Sequence, residues 1–129
     1  MTNKLELYKC NICGNVIEVL ISGDGHPVCC GEEMERIEVR NDDMNSEALT
    51  TKHSPIIMKN DDGKTVVSVT NHPMDENHYI MFVQAISKDG NEINTKFFYP
   101  NQTAELVSDI SEDIKARAYC NLHGLYVNK

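Results

Sequence analysis

Lys115 to Cys120 alternates in the way a half-buried strand does. Ala116, Ala118 and Cys120 fall on one face, and Lys115, Arg117 and Tyr119 on the other. Tyr79 to Ile86 is a longer, mostly apolar run, which predicts a strand buried on both faces. Thr65 to Thr70 is rich in β-branched residues, and Glu92 to Tyr99 is a further strand candidate. Turn signals separate these runs: Asn60-Asp61-Asp62-Gly63, Lys88-Asp89-Gly90-Asn91 and Tyr99-Pro100-Asn101-Gln102. No long helical period appears. Short strands with turns at this spacing predict a β-sandwich. Upstream, Lys4–Lys9 and Val16–Ile21 read as two short strands, and Gly23 to Pro27 as a turn cluster. Glu38 to Glu47 is polar and mixed in charge, as a linker is. The expected organisation is all-β: a small module over residues 1–37, a linker over 38–49 and a sandwich domain over 50–129.

Composition narrows what such a chain can do. Its 129 residues carry a formal net charge of -8, which argues against nucleic acid or an anionic membrane as partner. The N-terminal run Met-Thr-Asn-Lys-Leu-Glu-Leu has no apolar core of signal-peptide length, and no run is long enough to cross a bilayer. The expected location is therefore the cytoplasm, where thiols stay reduced. Five cysteines in that setting point to metal binding rather than to disulfides.

Four of the five form one set. Cys10-Asn11-Ile12-Cys13-Gly14 is a metal knuckle, and Cys29-Cys30-Gly31 follows after the turn cluster. A module under about forty residues buries little core, so a bound ion must supply much of its folding free energy. Structural zinc is one reading. The adjacent pair favours another, because zinc ribbons usually offer two spaced knuckles and neighbouring cysteines distort a tetrahedron. This Cys-x-x-Cys…Cys-Cys module resembles desulforedoxin, and the resemblance implies a rubredoxin-like iron held by Cys10, Cys13, Cys29 and Cys30. His26, beside Pro27, reads as a solvated loop residue.

The fifth cysteine lies in Tyr119-Cys120-Asn121-Leu122-His123-Gly124, with a histidine close behind it. Cys120 is either an inert core thiol or a ligand completed by histidines from mid-chain. His53, His72 and His78, like His123, lie beside turns or strand ends, where a sandwich brings loops together. Each alone would be an ordinary surface or hydrogen-bonded histidine. Together they offer four imidazoles and one thiolate. A structural zinc site closes at four ligands, whereas five of this type suit iron, with the thiolate on one axis and the opposite position open. Two other readings compete. One is a cupredoxin-like electron carrier, which would leave two histidines without a role and lacks a methionine after His123. The other is a zinc-stabilised interaction module with Cys120 merely buried.

The run Lys52-His53-Ser54-Pro55-Ile56, then Asn71-His72-Pro73-Met74 with His78, then Cys120-Asn121-Leu122-His123-Gly124, resembles the catalytic domain of superoxide reductase. With the N-terminal module in place, the whole chain resembles the desulfoferrodoxin family, the two-iron form. That resemblance implies His53, His72, His78 and His123 as equatorial ligands of a catalytic iron and Cys120 as its axial ligand. It implies two irons per chain, an immunoglobulin-like sandwich and a homodimer. The activity implied is one-electron reduction of superoxide to hydrogen peroxide, with re-reduction by an external donor such as rubredoxin. Lys52 matches the lysine of the family's Glu-Lys-His motif, which steers superoxide and orders water. Thr51 stands where that motif has glutamate, so water, hydroxide or an exogenous anion is expected opposite Cys120 instead of a carboxylate.

Overall fold

The computed structural model describes residues 1–40, 53–110 and 113–128. They fall into two units, Met1–Glu38 and Val39–Lys129. Glu47, Thr51, Lys52 and most of the linker expected between the two modules lie outside the described residues.

In the first unit β1 (Leu7–Lys9) runs antiparallel between β2 (Val16–Glu18) and β5 (Glu35–Arg36). A separate hairpin pairs β3 (Val28–Cys29) with β4 (Glu32–Glu33). The first strand is shorter than its sequence pattern suggests because Leu5 takes a positive φ of 75°, which interrupts the extended chain. The second also stops early, at Glu18. The apolar core is small: Tyr8, Cys10 and Met34 are buried, with Val19 and Cys29 packed against them.

The second unit is a sandwich of two antiparallel sheets. One contains β6 (Ile56–Lys59), β7 (Thr65–Ser68) and β10 (Glu105–Ser108), in the order β10-β7-β6. The other contains β8 (Ile80–Ile86), β9 (Ile93–Phe97), β11 (Lys115–Cys120) and β12 (Gly124–Val127), in the order β12-β11-β8-β9. Val67 and Leu106 from the first sheet meet Val83, Ala85, Ala116 and Ala118 from the second in one core. This is the expected all-β, immunoglobulin-like arrangement. The strand expected over Tyr79–Ile86 is buried on both faces, as its apolar run implies. Its one polar member, Gln84, is 3 % exposed. Gln84 accepts a hydrogen bond from Arg117 Nε at 2.9 Å and donates one to Thr95 Oγ1 at 3.1 Å, so its amide is satisfied inside the sheet. In this unit β10 and β12 have no counterpart in the sequence expectation.

β11 ends where it matters for chemistry. Its register against β8 shifts between Tyr119 and Cys120, so that Tyr119 opposes Phe82 but Cys120 opposes Ile80. A bulge of this kind re-aims the residue beyond it and closes the ladder. Cys120 is thus the last residue of a core strand, fully buried among apolar neighbours.

Leu106 is 6 % exposed in that core and is not one of the candidate ligands. Replacing it with alanine is expected to destabilise the sandwich by about 2–4 kcal/mol through lost burial and a residual cavity. The urea midpoint of the full chain measures this.

Candidate metal centres

The first centre is built on a tight knuckle. Cys10 N–H donates to Asn15 O and Gly14 N–H donates to Cys10 O, both at 2.9 Å. Gly14 sits at φ 84°, a conformation open to glycine. On the other side Cys30 and Gly31 both have positive φ, 54° and 77°; these two left-handed residues let neighbouring thiols share one site. The Sγ atoms of Cys13 and Cys29 lie 3.6 Å apart, and those of Cys29 and Cys30 lie 3.9 Å apart. A tetrahedron with metal–sulfur distances of about 2.3 Å has edges of about 3.8 Å, so these two spacings already match tetrahedral edges. All four sulfurs fall within 4.8 Å of one another. Backbone N–H groups of Cys13 and Ile12 pull the Cys10 thiol down to about 6. Hydrogen bonding to Cys13, then to Cys29 and Cys10, pushes Cys30 up to about 12. One thiolate forms readily and the last only beside a cation, which is the behaviour of a metal site. His26 is exposed and outside this cluster; its Nε2 donates to Met34 O at 2.9 Å.

The second centre gathers His53, His72, His78, Cys120 and His123, whose ligand atoms also lie within 4.8 Å of one another. The four rings form a closed circuit. Centroids are 4.5 Å apart for His53–His72, 4.5 Å for His72–His78, 5.0 Å for His78–His123 and 4.8 Å for His123–His53. The diagonal His53–His78 is 6.3 Å. Four near-equal sides with a longer diagonal describe a slightly compressed square. Neighbouring rings stand steeply to each other, at 67° to 78°, in T-shaped pairs.

Individual donors are aimed by their surroundings. His72 Nδ1 donates to Pro73 O at 2.6 Å, which fixes the tautomer and leaves a lone pair on Nε2. His72 Nε2 and His78 Nε2 are buried and have no hydrogen-bond partner among the described residues. His123 presents Nδ1, 3.1 Å from His53 Nε2 and 3.7 Å from Cys120 Sγ. Burial pushes the Cys120 thiol up, against hydrogen bonds from the backbone N–H groups of Leu122 and His123 that favour the thiolate. Burial pushes His72 down to about 4, so its imidazole is neutral and ready to coordinate at neutral pH. Five nitrogen and sulfur donors converging in a buried space, two of them without a hydrogen-bond partner among the described residues, form a candidate cation site, and the set fits a transition metal with affinity for nitrogen and sulfur.

Two features hold the loops that carry these donors. Asn121, between Cys120 and His123, accepts from Tyr79 N–H at 3.0 Å and donates to Asn77 O at 3.1 Å, and its own N–H donates to Tyr79 O at 3.2 Å. It therefore clamps the loop bearing His78 to the loop bearing Cys120 and His123. Gly124, at φ 89°, turns the chain from His123 into β12. Arg40 Nη1 donates to His123 O at 3.2 Å, and Arg40 N–H donates to Leu125 O at 2.8 Å. The spacing of histidines and cysteines points to the five donors but not to Asn121; the sole hint is an amide side chain inside a short turn.

The sequence and the fold have counterparts among known proteins. The family description "Desulfoferrodoxin, N-terminal domain" matches residues 2–37, and "Desulfoferrodoxin" matches residues 45–129. A desulfoferrodoxin of Desulfarculus baarsii is 40% identical over 126 residues, covering 96% of this chain and 95% of its own. The desulforedoxin of Megalodesulfovibrio gigas is 53% identical over 34 residues, 26% of this chain and 92% of its own. The crystal structure of the superoxide reductase from Treponema pallidum covers 100% of both chains with a TM-score of 0.72 at 22% identity, a likeness of fold. The chain belongs to the desulfoferrodoxin family.

Replacing Asn121 with alanine is expected to weaken ferrous binding at the second centre about tenfold or more, the usual scale for a residue supporting ligands. Competition with a chromophoric chelator measures it, and the four-thiolate centre should be unaffected. Because Cys120 is a thiol and His72 a neutral imidazole at pH 7, metal uptake at the second centre should release a proton from Cys120 and none from His72. Affinity then falls as pH falls, by about tenfold per unit for one linked proton. Calorimetry in buffers of different protonation enthalpy reads the number, and a Cys120→Ser chain should release one fewer.

Proposed function

We propose that this chain is a superoxide reductase. It takes a superoxide anion, one electron and two protons to hydrogen peroxide, with one iron held by His53, His72, His78, Cys120 and His123. The observation that carries this reading is the convergence of four imidazoles and one buried thiol on a single point. A second iron would be held by Cys10, Cys13, Cys29 and Cys30. Neither the cupredoxin nor the zinc-module reading uses all five donors of the second centre, and both leave the orphaned nitrogens of His72 and His78 unexplained.

When bound, iron supplies reversible one-electron transfer. The residues of the chain do the rest. Cys120 contributes negative charge from inside the core, and the N–H groups of Leu122 and His123 keep that charge in place. His72 is a neutral donor locked by Pro73 O. His53 is 1 % exposed and Cys120 0 %, so bulk water is kept from this side of the centre. Lys52, next to His53 in sequence, draws the anion against a net charge of -8 and holds the water that delivers protons. Thr51 has no carboxylate to offer a bound ion.

An external donor, such as rubredoxin, restores the electron. The same reading assigns residues 1–37 to the four-cysteine module and 50–129 to the catalytic domain. Residues 38–49 join them, and of these Val39 and Arg40 are tied to β12 through Leu125. It also places the protein in the cytoplasm as a homodimer. The cytoplasmic setting is supported by thiols given over to metal binding, and the homodimer rests on family resemblance.

Replacing Cys120 with serine is expected to abolish superoxide consumption while the visible absorption of the four-cysteine iron survives. Stopped flow with a superoxide pulse and elemental analysis decide it. Retained consumption in that variant, or a wild-type chain carrying zinc alone after anaerobic loading with ferrous iron, would sink the reading.

A further inference from the structure

The second centre contains one aromatic contact that none of the ligand roles requires. Tyr126, on β12, stacks its ring on the imidazole of His53 with centroids 4.5 Å apart and planes 15° from parallel. Of the other ring contacts of His53 within the centre, those to His72 and His123 are edge-on and the longer one to His78 is tilted by 38°. Tyr126 is 2 % exposed. In the β11–β12 ladder it stands opposite Ala118, and Gly124 stands opposite Cys120. The small residue at 118 leaves room for a phenol ring on the core face beside the ligands.

We propose that Tyr126 is a positioning residue for the metal centre: its ring face sets the plane in which His53 presents its donor nitrogen. This rests on the metal assignment made above. The physical argument has two parts. Rotating the His53 ring about its Cβ–Cγ bond would drive the imidazole edge into the phenol, so the stack removes a freedom that metal binding would otherwise have to freeze. An imidazole also gains positive character when it coordinates a cation, and an aromatic face stabilises positive charge lying over it. That second effect grows with the charge of the ion, so it favours the oxidised state over the reduced one. His72 gets its orientation from a hydrogen bond to a carbonyl; His53 gets it, on this account, from a ring.

Phenylalanine at 126 keeps the stack and removes only the hydroxyl, whereas leucine keeps apolar bulk and removes the stack. The test loads wild type, Tyr126→Phe and Tyr126→Leu with ferrous iron. It compares chelator-competition affinity at the second centre, the thiolate charge-transfer band and paramagnetic resonance of the oxidised ion, and the midpoint potential. The expected result is wild-type behaviour for Phe. For Leu it is an affinity loss of about tenfold, a shifted band and a potential moved upward. A leucine variant indistinguishable from wild type overturns the proposal, as does a phenylalanine variant that behaves like leucine. Should leucine prevent folding, judged by circular dichroism and the urea midpoint, Tyr126→Met takes its place, since an unbranched thioether fits irregular gaps without a ring face. Superoxide consumption is read on the same samples as a separate matter. Its absence from wild type would sink the reductase assignment, while the difference between ring and no ring in metal binding decides the role of Tyr126.

Discussion

Lone pairs that face one another in a buried space repel, and only a shared cation reconciles them. That constraint governs the second centre. His72 Nε2 and His78 Nε2 point inward with no protein partner among the described residues, and each such buried polar atom costs on the order of 1–3 kcal/mol. The sandwich bears this cost through a core in which Val67, Ile80, Val83, Ala116 and Ala118 are almost wholly excluded from solvent. Its apolar packing keeps the donors in place, and the ion then meets an arrangement that has little left to reorganise.

The first centre inverts that balance. Its buried apolar side chains are few, Leu7, Tyr8, Cys10 and Met34, too little to hold a module of this size by burial alone. There the ion does much of the work of folding, and the protein contributes a knuckle, two left-handed residues and two thiol spacings that already match tetrahedral edges. One chain thus joins two relations between metal and fold: a site made rigid by its protein, and a protein made rigid by its site.

Much of this was legible beforehand, for identifiable reasons. Ligand residues are chemically rare, so Cys10, Cys13, Cys29, Cys30, Cys120 and the four histidines stand out whatever lies between them. The run over Lys115–Cys120 and the apolar run ending at Ile86 both survive as strands, but the first is not half-buried as its alternation suggests, because Arg117 and Tyr119 are buried beside Ala116, Ala118 and Cys120. What could not be read is what depends on tertiary contact. The four-residue strands β10 and β12 acquire their identity only by pairing. The bulge at Tyr119–Cys120 is a property of two strands together. The clamp at Asn121 and the stack of Tyr126 on His53 join residues 42 and 73 positions apart at most a few ångströms in space, and no local pattern announces either.

The positions of the donors along the chain also set an order of events. The four thiolates lie between Cys10 and Cys30, close enough for that centre to assemble around an ion as soon as the first module has left the ribosome. The other five run from His53 to His123, and its thiolate lies on β11, which pairs with β8 and β12. No shorter stretch of the chain offers that set, and long-range strand pairing is slow compared with closing a local loop. Synthesis therefore separates the two loadings in time. The first can guide folding while the chain is still growing; the second has to wait for a finished sandwich, and so for iron still to be at hand when the C-terminal strand docks.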